Sequence, residues 1–120
     1  MRVLILLISL SLSLPIYADS YLNGNGLQTN CREYSKFKDG RNFDTMKYGS
    51  CTAYITAVSD SHDVFVEWGK MSPMFCSPNE VTNGQLAAVV VKYLEANPEE
   101  LHYAAADIVT NALAQAFPCN

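Results

Sequence analysis

Basic side chains are few in this chain: eight Lys and Arg stand against twelve Asp and Glu. That balance gives no support to nucleic acid or anionic lipid as a partner. Histidine is scarcer still, with only His62 and His102. No Cys-x-x-Cys or His-x-x-x-His spacing occurs, so a metal site is not suggested. No glycine-rich phosphate loop follows a strand pattern, and Asn23-Gly24-Asn25-Gly26 reads as a flexible arm opening the mature chain. No apolar run reaches the ~20 residues needed to cross ~30 Å of hydrocarbon. Internal repeats are absent as well. Catalytic residues, metal and cofactor are therefore all expected to be none.

What is present begins with Met1-Arg2, followed over residues 3–14 by apolar residues and serines, then Pro15-Ile16-Tyr17-Ala18. A basic start, a short apolar core and a small residue at the end form a secretory signal peptide. Residues 1–18 are expected to be removed, leaving a single domain over residues 19–120. Losing Arg2 leaves seven basic and twelve acidic side chains, a net charge of −5. All four cysteines remain in the mature chain, and an even number in a small exported protein implies two disulfides.

Four helical segments are readable. The first, about residues 22–36, places Leu27, Cys31 and Tyr34 on one face and ends at Lys38-Asp39-Gly40. Asp44 is a natural N-cap for the second, with Phe43 and Tyr48 placed for a hydrophobic staple. Cys51, Tyr54, Ile55, Val58 and Phe65 follow at helical spacing, although the β-branched residues around Phe65 blur the end. Thr82 and Gln85 match a capping box that opens the third, whose stripe is Leu86, Val89, Val90, Tyr93 and Leu94. Asn97-Pro98-Glu99-Glu100 reads as N-cap, N1 proline and two acids on the positive end of a fourth. Leu101, Ala105, Ile108 and Ala112 would face inward, and Pro118 would stop that helix.

The turn at Asn97-Pro98 lies 21 residues from Cys76 on one side and 21 from Cys119 on the other. Antiparallel helices of equal arm length bring those two cysteines together. Cys31 and Cys51 are similarly placed, ten residues either side of Arg41. Geometry thus favours Cys31–Cys51 with Cys76–Cys119, though sequence alone leaves the other two connectivities open. The expected fold class is all-α: a small compact bundle of about four helices in two antiparallel hairpins, stapled by two disulfides.

Chemistry is hard to find on this scaffold. A Cys–His hydrolase needs a free thiolate beside an imidazole, and both cysteine pairs are assigned to cross-links. His62, within Ser59-Asp60-Ser61-His62-Asp63, reads as part of a polar helix face or turn, and His102 as solvated. Glu99 and Glu100 diverge on a helix and suit its N-terminus. Asp60 and Asp63, three apart, form an ordinary exposed face. The chain reads as a binding protein, not an enzyme. Its most suggestive surface is the loop between Trp68 and Asn79, where Gly69, Pro73 and Pro78 break any helix yet Trp68, Met71, Met74 and Phe75 remain apolar. Trp68, Lys70, Met71, Ser72, Pro73 and Met74 are candidates for plugging a cleft, with Phe75 tucked into the core.

Cys51-x-x-Tyr54-Ile55, Cys76-x-Pro78, Val81-Thr82-x-Gly84-Gln85, Val89-Val90-x-x-Tyr93-Leu94, Pro98-Glu99-x-Leu101, Ala105 and Ala116-Phe117-Pro118-Cys119 together resemble the Rap/Tai immunity family. The resemblance spans roughly residues 22–119 and is densest toward the end. It implies a compact helical periplasmic protein, typically a homodimer, that binds and occludes the cleft of a peptidoglycan amidase effector delivered by type VI secretion. The motifs lie on the scaffold, so no contact residue carries over from the family. On physical grounds the plug is the loop of residues 68–74, with Asp60, His62, Asp63 and Glu67 as exposed polar contacts. The competing class is a periplasmic acid-stress chaperone binding unfolded clients, although those are usually richer in charge than this chain.

Overall fold

The computed structural model describes residues 20–120, so the expected signal peptide at residues 1–18 lies outside the described residues. Four helices follow in order: α1 (Gly24–Lys38), α2 (Thr45–Glu67), α3 (Asn83–Ala96) and α4 (Ala105–Ala116), with a 3-10 turn at Pro98–Glu100. No strand is formed among the described residues, and none of their helices is long and apolar enough to cross a membrane. α1 and α2 make one hairpin, α3 and α4 the other, and α1 and α2 both lie against α3. Leu27, Ile55, Phe75, Val90, Leu94, Ile108, Val109 and Leu113 form the centre of the core.

Both hairpins are cross-linked as their arm lengths suggest. Cys31 bonds Cys51 and Cys76 bonds Cys119, each with Cα atoms 5.0 Å apart. The two bridges differ in setting: Cys31 and Cys51 are fully buried, whereas Cys76 and Cys119 lie at the surface. Disulfides of this kind persist in oxidising compartments outside the cytosol.

Local chemistry explains the helix limits. Asp44 Oδ1 accepts the backbone N–H groups of Met46 and Lys47, and Phe43 packs 5.3 Å from Tyr48, completing the staple. Thr82 and Gln85 cap each other's backbone at the start of α3. α1 and α2 both end in glycine at positive φ, Gly40 (68°) and Gly69 (65°). In each case the next residue donates back to the last turn: Arg41 to Lys36 O and Lys70 to Phe65 O. Glycine takes this left-handed conformation without steric cost.

The buried Glu33 ties the first hairpin together. Its Oε1 lies 2.7 Å from Lys36 Nζ, and its Oε2 accepts the Asp44 N–H at 2.8 Å. The Lys36 ammonium, and next the Asp44 N–H, hold its carboxyl below the ordinary value of 4.5. A value lowered by folding gives stability that is present above about pH 4.5 and is lost as pH falls through the folded value. Glu33→Gln is therefore expected to flatten the acid limb of the stability curve, which denaturant midpoints at neutral and acid pH would measure.

Two sequence expectations are corrected at the opposite end. The fourth helix begins at Ala105, not after Asn97, and Asn97 is instead the C-cap of α3, donating its side-chain amide to Tyr93 O at 2.9 Å and capping no following helix with its side chain. The Asn23-Gly24-Asn25 stretch is not a flexible arm either: Asn23 caps α1, which starts at Gly24. The two corrections share one cause. Gly24 and Asn25 donate to Tyr103 O and Leu101 O, and Ala105 donates to Leu22 O, so the turn over residues 101–103 and the single bridge between Ala104 and Asn23 are fastened to the start of α1. Meanwhile Tyr93 donates its hydroxyl to Glu100 at 2.7 Å, pinning the 3-10 turn to α3 and pushing the phenol up to about 12.

Gly24 is buried where a β-carbon would stand 2.7 Å from Leu101 Cα and 2.8 Å from its carbonyl oxygen, besides striking Ile108 Cδ1. Backbone cannot swing aside as a side-chain tip can. Gly24→Ala is expected to destabilise by about 2 kcal/mol, within the usual range for overpacking, visible as a lower thermal midpoint with helix content unchanged.

Candidate functional site

Beyond His62 the last turn of α2 is largely exposed. Its inward stripe is Cys51, Ile55, Ser59 and His62, all buried. Phe65, which the spacing places inward, is 48% exposed because the neighbouring helices cover α2 only as far as His62. Phe65 and Trp68 meet edge to face at 6.0 Å, and Trp68 is 64% exposed. Val64, Met74 and Tyr103 are exposed nearby in sequence or across the loop. Met74 and Tyr103 also line an open groove of about 410 Å³, floored by Ile108 and edged by Asp107, Thr110 and Asn111 of α4.

The loop presenting these side chains is irregular but strongly held. Phe75 is buried in the core, as the sequence suggests. Cys76 donates its N–H to Phe117 O at 2.8 Å and is bonded to Cys119. His62 provides the remaining anchor, and here the expectation of an exposed polar contact is wrong. Its side chain is 7% exposed, stacked 3.8 Å from the Phe75 ring. Nε2 accepts the Met74 N–H at 3.0 Å, and Nδ1 lies 2.9 Å from Asp63 Oδ1. An inward-facing position with a ring acceptor in reach suits the otherwise unpaired Met74 amide better than solvent exposure would.

The other candidates are distributed as follows. Asp60, Asp63, Glu67, Lys70, Ser72, Pro73 and Met74 are exposed, and Met71 is half-buried. Asp60 belongs to a different groove, shared with Tyr48, Thr52, Thr56 and Asn83 on the flank of α2. The candidate surface therefore has two parts: Phe65 and Trp68 in edge contact at the end of α2, with exposed Asp63 and Glu67 on the same helix, and Met74 with Tyr103 and Asp107 at the groove along α4. Tyr103 and the α4 edge escaped the sequence reading, since nothing local marks residues brought together by tertiary packing. Phe65 carried a usable signal: it lies three residues before Trp68, on the same helical face.

A second apolar patch lies at the far end of α2. Phe37 packs on Phe43 and Tyr48 at 5.3 and 4.9 Å, and Phe37 and Met46 remain exposed. No free cysteine occurs among the described residues, so none of them offers a thiol nucleophile.

A search of curated proteins returns no match. The family model describing Rap1a immunity proteins, however, matches residues 23–119. That span takes in all four helices, both cross-links and the anchored loop. The chain belongs to the Rap1a immunity protein family, which makes a cognate effector protein its expected partner.

Proposed function

We propose that this protein is exported to the periplasm, where it binds a peptidoglycan amidase effector delivered by type VI secretion and blocks its active-site cleft. Protection is steric: the protein performs no chemical step, and the loop of residues 68–74 fills the cleft that substrate would occupy. Supporting this reading is one observation above the rest. Trp68 and Met74 are exposed on a segment fixed at its base by Phe75, His62 and the Cys76–Cys119 bridge. An exposed aromatic on a pre-organised loop loses little conformational freedom on binding, which is what a binding hot spot requires.

Asp63 and Glu67 of α2, with Lys70 in the loop, supply polar contacts at the rim; Asp60 extends that contact along the helix if the interface reaches the second groove. An interface of the standard ~800 Å² per partner is enough for a specific complex. The protein acts as a homodimer in this proposal. The test is expression of the amidase in the periplasm with and without this protein. Protection from lysis is expected in its presence, and equal lysis in both cultures refutes the antidote role.

A further inference from the structure

His62 occupies an inward position on α2 that an apolar residue would fill more simply, and both of its ring nitrogens are engaged. The Met74 N–H points at Nε2 from 3.0 Å, so Nε2 presents a lone pair. Nδ1 then carries the ring proton and donates it to Asp63 Oδ1 at 2.9 Å. The two neighbours together select one neutral tautomer.

We propose that His62 is the positioning residue of the Trp68–Met74 face and holds Met74 only as a neutral imidazole, so that the loop loosens when the ring takes up a proton. A proton on Nε2 would face the Met74 N–H, opposing two donors where one hydrogen bond had been. The contact with Asp63 becomes charge-assisted at the same moment and is strengthened. Protonation thus exchanges the loop contact for a helix contact. Stacking on Phe75 does not oppose the change, because a cation lies favourably over an aromatic face.

The charged and titratable groups around this ring come from three directions. Asp63 is its neighbour on α2. The loop side brings the Met74 backbone and the Phe75 ring, neither ionisable, with exposed Lys70 at its start. The α4 side brings Asp107, which lines the groove beneath Met74. Tyr54 lies near Asp107, its phenol raised by burial first and then by that carboxylate. The bridge and the Cys76 N–H hold the far end of the loop regardless of pH. Its bearing on effector binding rests on the antidote reading above; the hold on the loop does not.

The experiment uses the mature protein alone. Nitrogen-15 spectra of the His62 ring and hydrogen exchange at the Met74 amide are followed from about pH 7.5 to pH 5, where imidazoles ordinarily change charge. At the upper end the ring is expected as the Nδ1–H tautomer with Met74 protected. As the ring titrates, Met74 protection is expected to fall at least ~10-fold after correction for intrinsic exchange, a local opening, with Trp68 fluorescence changing alongside. His62→Gln, whose amide oxygen accepts the Met74 N–H without titrating, is expected to keep protection and remove its pH dependence. Three results overturn the proposal: an Nε2–H tautomer, Met74 protection unaltered by the ring's titration, or a ring neutral until global unfolding. Should the Gln variant not fold, the wild-type titration decides alone. None of these readouts contains an effector, so they stand or fall separately from the antidote role.

Discussion

Replacing Trp68 and Met74 together with alanine is expected to weaken effector binding by more than ~2 kcal/mol, at least ~30-fold, while leaving the fold intact. Both side chains are more than half exposed, so truncating them opens no cavity. The groups that hold the loop are untouched: Phe75 in the core, His62 on the Met74 backbone, and Cys76 bonded to Cys119. Titration calorimetry with the cognate effector measures the loss, and circular dichroism confirms helix content. Unchanged affinity in a folded variant moves the interface elsewhere, with the exposed Phe37 and Met46 at the far end of α2 as the next place to look.

Removing the Cys76–Cys119 bridge by double replacement with serine is expected to cost about 4 kcal/mol, as loop-closure entropy gives for the sequence separation of 43. For a domain of this size that is a large share of the whole stability. Removing Cys31–Cys51, with a separation of 20, forfeits about 3 kcal/mol by the same reasoning, and the buried sulfurs leave a void besides. Denaturant unfolding measures both. Exposure also sets the order of reduction: Cys76–Cys119 should open first in graded dithiothreitol, because a thiolate must reach the sulfur it attacks. Mass mapping of alkylated fragments shows that order. Complete opening of Cys31–Cys51 ahead of the exposed bridge would contradict it.

Much of this architecture is written locally. Asp44 with Met46 and Lys47, Thr82 with Gln85, and Phe43 with Tyr48 are interactions within one or two turns, so residue type and spacing determine them. The disulfide pairing agrees with the equal spacing of the cysteines about the two turns, although the arms themselves differ in length and α4 starts only at Ala105. What escaped local reading depended on distant partners. Asn97-Pro98-Glu99-Glu100 has every mark of a helix start, yet Glu100 bonds Tyr93 and residues 101–104 pair with the other end of the chain. His62 looks like a solvent-facing residue until the loop returns twelve positions later to offer its amide. Phe65 keeps helical spacing but outruns the helices that would have covered it. The loop face shows the same division: Trp68 and Met74 stand out by composition, whereas Tyr103 and Asp107 join them only through the packing of α4.

The short pairing of Leu22, Asn23 and Gly24 with residues 101–105 also governs when the molecule can assemble. Gly24 and Asn25 find their long-range hydrogen-bond partners, and Gly24 its snug seat, only after residues 101–105 have been synthesised. The first hairpin therefore lacks these particular contacts until the last third of the chain is present. The seam that joins the two ends of the chain is thus among the last pieces of the native shape to close.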